Sequence, residues 1–130
     1  MTDTAKDLIL SEIINTAAQF DAGINLPIPN GKTPTDYHDE LIDDGFEDAL
    51  YDATEEFRSS GDDTDIESPY SRHYESTQVA RVLDGGVVCW THWYGGGKHS
   101  EPSAIGWIDD AYFVNVEQKA TVVNVYSKLE

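Results

Sequence analysis

Apolar residues recur at three- and four-residue steps near the start of the chain: Ile9, Leu10, Ile13, Ile14, Ala17 and Phe20. Lys6, Asp7, Ser11, Asn15 and Gln19 take the other side. This period predicts an amphipathic helix from about Thr4 to Phe20, with Thr2, Asp3 or Thr4 able to cap it. Residues 23–34 hold three prolines, two glycines and the turn dipeptide Asn30-Gly31, and read as a loop. A second stripe follows from near Thr35: Tyr37, Leu41, Ile42, Phe46, Leu50, Ala53 and Phe57, ended by Ser59-Ser60-Gly61. Gly45 weakens its middle by about 1 kcal/mol relative to Ala and marks a place for a kink or break.

From residue 70 the texture changes to β-branched and aromatic residues. Residues 79–83 and 87–94 flank Asp84-Gly85-Gly86 and predict a hairpin. Residues 101–108 read as a short helical turn with Pro102 near its first position. Residues 112–116 and 121–126 alternate in polarity around residues 117–120, a second hairpin. The expected architecture is therefore α+β: two N-terminal helices on a four-stranded antiparallel sheet formed by two C-terminal hairpins. Residues 1–130 make one domain, helical over 1–60, an acidic loop over 61–69 and sheet over 70–130.

Composition adds bounds. A chain of 130 residues that is 39% hydrophobic, with three Trp, seven Tyr and four Phe, can bury one core. A lone cysteine, Cys89, makes no internal disulfide and suits a reducing cytoplasm. The first residues lack the basic-then-apolar pattern of a secretory signal, and no apolar run is long enough for a membrane span.

Charge changes the picture most. Residues 36–67 contain fourteen carboxylates and one base, Arg58, a local charge of −13 out of −17 for the whole chain. Direct binding to DNA, RNA or anionic membranes is disfavoured, because phosphate contacts need Lys and Arg. The partners favoured are basic surfaces, above all proteins that themselves grip nucleic acid. Read as one helix of roughly 22 residues and 33 Å, the second element carries a carboxylate about every 3.3 Å of axis, close to the phosphate spacing of one DNA strand. Its like-charge i, i+4 pairs cost a few tenths of a kcal/mol each, with almost no interleaved bases to offset them. An acidic face kept only for solubility is the plainer reading, and adaptation to high salt another. Concentration in one segment argues against the latter. The residues expected to touch a partner are Asp39, Asp43, Asp44, Glu47, Asp48, Asp52, Glu55, Asp62 and Asp63.

The run Tyr37-His38-Asp39-Glu40-Leu41-Ile42-Asp43-Asp44, continued by Phe46-Glu47-Asp48-Ala49-Leu50-Tyr51-Asp52, resembles the acidic helices of phage-encoded DNA-mimic antirestriction proteins. The likeness covers about an eighth of the chain and is one of character, so no residue role carries across. It implies an inhibitor, encoded by a phage or other mobile element, that occupies the nucleic-acid groove of a host defence protein, of antirestriction or anti-CRISPR type. The β-rich second half departs from that pattern.

Other chemistry fits less well. Gly95-Gly96-Gly97-Lys98-His99-Ser100 lacks the first Gly and the Ser or Thr of a Walker A loop, where His92 and His99 stand instead. Cys89 and His92 have opposite strand parity, against a shared zinc site or a Cys–His nucleophile. Residues 62–67 lack the spacing and central Gly of an EF-hand loop. No metal or cofactor is expected, and no enzymatic activity. Trp90, His92, Tyr94, Lys98 and His99 are the candidates for a secondary contact loop, and an aromatic sheet face left uncovered would also admit a homodimer. The leading expectation is a cytoplasmic, non-enzymatic inhibitor. The alternatives are an immunity protein for a basic toxin nuclease and a small-ligand-binding or enzymatic domain using the 95–99 loop.

Overall fold

Thr4 fixes where the first helix starts: its hydroxyl accepts from the Asp7 N–H at 3.1 Å while the Asp7 carboxylate accepts from the Thr4 N–H at 3.3 Å. This reciprocal cap satisfies two donors that the first turn leaves orphaned. In the computed structural model, which describes residues 4–72, 74–95 and 106–116, the order is α1 (Ala5–Phe20), α2 (Pro34–Asp43), α3 (Glu47–Arg58), β1 (Asp62–Asp63), β2 (Glu75–Leu83), β3 (Gly86–Tyr94) and β4 (Tyr112–Val114). The described strands form one antiparallel sheet in the order β1-β2-β3-β4. The fold is α+β, with helices first and strands after.

The second apolar stripe is two helices. Thr33 caps α2, its hydroxyl accepting from Asp36 N–H at 3.1 Å with Pro34 in the first turn. The helix stops where Gly45 turns to φ 94°. There the Gly45 N–H donates to Ile42 O at 3.2 Å and the Phe46 N–H to Leu41 O at 3.0 Å, the paired bonds of a Schellman termination. Charge favours this break over the continuous helix. Asp43/Glu47 and Asp44/Asp48 leave i, i+4 register within one helix, and Glu47 and Asp48 become the first turn of α3, where the helix dipole favours anions.

The first hairpin follows expectation. Glu75↔Tyr94 through Leu83↔Gly86 pair in continuous register, closed by Asp84 and by Gly85 at φ 113°. Two expectations change. Asp62 and Asp63 are not loop but an edge strand, paired with Ala80 and Val79. The chain passes so close there that a Cβ on Gly61 would lie 2.8 Å from the Val79 side chain. Tyr112–Val114 pairs with β3, and β1 supplies the fourth described strand. The expected strand over 121–126 and residues 101–105 of the expected turn lie outside the described residues, while residues 107–110 form a turn.

One core joins helices to sheet. Ile9, Ile13 and Ile14 of α1, Leu50, Ala53 and Phe57 of α3, and Val88 and Trp90 of β3 are buried together with Trp107. Phe57 sits 4.8 Å from Trp90 and 6.1 Å from Trp107 between ring centroids. Burying side chains of this size contributes roughly 1.5–3 kcal/mol each.

Candidate functional site

The acidic residues lie on α2, α3 and β1. At about 100° per residue, Tyr37 and Leu41 of α2 face the core, leaving Asp36, Asp39 and Asp43 on the opposite arc. In α3 the core face is Leu50, Ala53 and Phe57, so Asp48, Asp52 and Glu55 project outward. Asp44 caps α2, and Asp62 and Asp63 stand exposed on the sheet edge. The carboxylates are thus divided between two short helices of about 15 and 18 Å and an edge strand. The strand-like spacing along a single 33 Å rod does not hold; a broader acidic surface replaces it.

Neutralisation is sparse. Asp39, Asp43, Asp44, Glu47, Asp48, Asp52, Asp62 and Asp63 are all exposed, and none has an ion-pair partner among the described residues. Among the described residues, Glu55 alone of the nine faces a base, Arg58, at 4.0 Å. The other ion pairs use different acids: Lys6–Asp109, Lys32–Glu40 and Arg81–Glu12.

Arg58, the one base in the acidic segment, is turned inward and is 9% exposed. Its guanidinium donates to the Trp93 main-chain carbonyl, and its own carbonyl accepts from Trp90 Nε1 at 3.3 Å. Its Nε finds no hydrogen-bond partner among the described residues. The charge that sequence position assigns to the acidic surface is turned towards the end of β3, with Glu55 its one partner among the nine candidate acids.

The proposed aromatic contacts separate. Trp90 is fully buried against Phe57, so it anchors the core and is not a contact residue. Strand alternation puts His92 and Tyr94 on the same face of β3 as Trp90. His92 stacks on Tyr94 at 5.9 Å near the open end of that face. Burial, then the Arg58 charge, lowers the His92 pKa, while Asp63 pulls it up. Lys98 and His99 lie outside the described residues.

On the reverse face Cys89 is buried, with Sγ 3.2 Å from the Tyr112 hydroxyl, which donates to Gln78 Oε1 at 2.7 Å. Gln78 Nε2 in turn donates to Thr91 Oγ1 at 2.7 Å. Burial and the Cys89 contact push the Tyr112 phenol up to about 12. This satisfied network fixes β4 on β3, and Cys89 and His92 occupy opposite faces of the sheet. Among the described residues no group of three or more His, Cys, Asp or Glu is placed to hold a metal ion. None of the described helices is long and apolar enough to cross a membrane.

The helix break opens a feature that sequence reading missed. A groove of about 350 Å³ runs between α2 and α3, lined by His38 and Ile42 on one side and Glu47, Asp48, Leu50 and Tyr51 on the other. Ile42, expected in the core, is 38% exposed, and Tyr51 is 62% exposed. Ile42 lies some 100° around α2 from Leu41, which turns it off the core face and towards α3. An adjoining cavity between α1, α2 and the 106–109 turn already contains the Lys6–Asp109 pair. A wider bay at the other end of the sheet contains Arg72 beside Tyr70 and Tyr94.

Comparison with protein-family models, with curated proteins and with solved structures found no match.

Proposed function

We propose that this chain is a non-enzymatic inhibitor that uses the carboxylates of α2, α3 and β1 to occupy the basic nucleic-acid groove of a cytoplasmic partner protein, with a phage or other mobile element as its source. One observation carries the reading: eight of the nine candidate contact carboxylates are exposed and lack an ion-pair partner among the described residues, while the segment's single base, Arg58, is buried and reaches only Glu55 of the nine. Like charges left unneutralised destabilise the fold that carries them, and their field reaches a Debye length of about 8 Å at physiological salt. Such a field speeds encounter with a cationic surface and repels nucleic acid and anionic membranes. The acids substitute for a patch of phosphates distributed over a surface, not for the regular repeat of one strand.

The test is capture from host lysate on the immobilised chain at low salt, followed by a rising salt gradient, in parallel with an Asp43→Lys/Asp44→Lys/Asp48→Lys variant. The reading expects basic nucleic-acid-binding proteins to elute late from the native chain, to be lost from the variant, and to release bound DNA or RNA when free chain is added. Retention of the same proteins by both chains, or of proteins that do not bind nucleic acid, contradicts it.

A further inference from the structure

We infer that the groove between α2 and α3 receives an arginine side chain from the basic partner, an inference that rests on the acidic-binder reading above. The groove combines three features that an arginine uses at once. Its floor is apolar, with Ile42 38% exposed and Leu50 buried behind it, suited to the methylene stem. Its wall is the open ring of Tyr51, on which a planar guanidinium can stack. Its rim carries Glu47 and Asp48, both exposed and free of ion pairs among the described residues.

Charge decides the sign of the occupant. The N-terminus of α3 contributes about half a positive charge at this rim, but two full carboxylate charges outweigh it. Burial lowers the His38 pKa, so the imidazole on the opposite wall is neutral near pH 7 and does not compete with an incoming cation. Size decides the scale: about 350 Å³ is near the lower limit for a small-molecule pocket and suits a single side chain. Shape favours arginine over lysine, because an ammonium is a strongly hydrated point charge that gains less from the Tyr51 face. The adjoining cavity lacks this selectivity, since Lys6 already supplies its cation.

The experiment titrates the intact chain with end-capped hexa-arginine and hexa-lysine peptides at low salt, following Ile42 methyl and Tyr51 ring signals by NMR. Expected are shifts at both residues with hexa-arginine, tighter binding of that peptide than of hexa-lysine, and weakening of hexa-arginine about three- to five-fold by Tyr51→Leu. Hexa-lysine should respond little to Tyr51→Leu. Glu47→Gln with Asp48→Asn should weaken both peptides. Tyr51 is largely exposed, so its replacement leaves the fold intact, and Ile42→Lys, which places a cation in the groove, is a second variant expected to abolish the arginine preference. Equal binding of both peptides, without shifts in the groove and without an effect of Tyr51→Leu, overturns the arginine site while leaving the acidic surface standing. Binding of neither peptide removes both.

Discussion

Arg58 donates from its guanidinium to the main-chain carbonyl of Trp93, 35 residues along the chain, and pairs with only one, Glu55 at 4.0 Å, of the fourteen carboxylates that surround it in sequence. The bond joins the last turn of α3 to the end of β3. It secures the helix over Trp90, whose indole donates back to the Arg58 carbonyl at 3.3 Å. Replacing Arg58 with Met should cost about 1.5–3 kcal/mol, the range for a hydrogen bond to a charged group. Urea unfolding reads the loss. A surface arginine whose role was charge balance would change stability by no more than about 0.5 kcal/mol, and that result would place Arg58 outside the core.

Gly45 gives a test in which the sign alone decides. At φ 94° in a Schellman turn, Gly45→Ala should destabilise by about 1 kcal/mol. Were α2 and α3 one helix, the same substitution would stabilise by about that amount. Thermal melts of the two proteins distinguish the cases.

Self-repulsion within α3 should be measurable. Asp48/Asp52 and Asp52/Glu56 remain i, i+4 pairs inside one helix, so Asp52→Asn should raise stability by a few tenths of a kcal/mol at low salt. The gain should shrink as salt rises to about 0.5 M, because screening already relieves the native chain. The native melting temperature should itself rise with salt over that range.

The histidines set an acid sensitivity. Burial lowers the His38 pKa below 6.5, with Asp39 partly opposing it and Lys6 adding to it. The unfolded chain therefore binds more protons than the native one once pH drops below about 6.5, and stability falls as pH falls towards the depressed value. His92 acts in the same direction. His38→Gln should flatten part of this decline, read as a smaller difference between urea midpoints at pH 7.5 and 5.5 than the native chain shows.

The local elements were largely legible in the sequence, and the faces were not. The period of Ile9, Ile13 and Ala17 defined α1, with Thr4 one of three candidate caps, and Asp84-Gly85 defined the hairpin, because both signals are local. The β1 strand escaped notice because two adjacent aspartates carry no strand pattern. Their pairing depends on Gly61 permitting close approach to Val79, a long-range steric fact. Period-two alternation could group Trp90 with His92 and Tyr94 but could not say which side the helices would cover. The acidic surface was visible as composition. Its division into two helices was visible only as the weakness at Gly45, and the groove that follows from that division was not visible at all.

The most direct test of the account is the salt dependence of affinity for the captured partner. Between about 50 and 200 mM salt the native chain should lose tenfold or more in affinity, as electrostatic surrogates for phosphate contacts require. The Asp43→Lys/Asp44→Lys/Asp48→Lys variant should bind far more weakly, with a shallower slope. Affinity that is flat across this range and unchanged by the three reversals would contradict the central claim that unneutralised carboxylates make the complex.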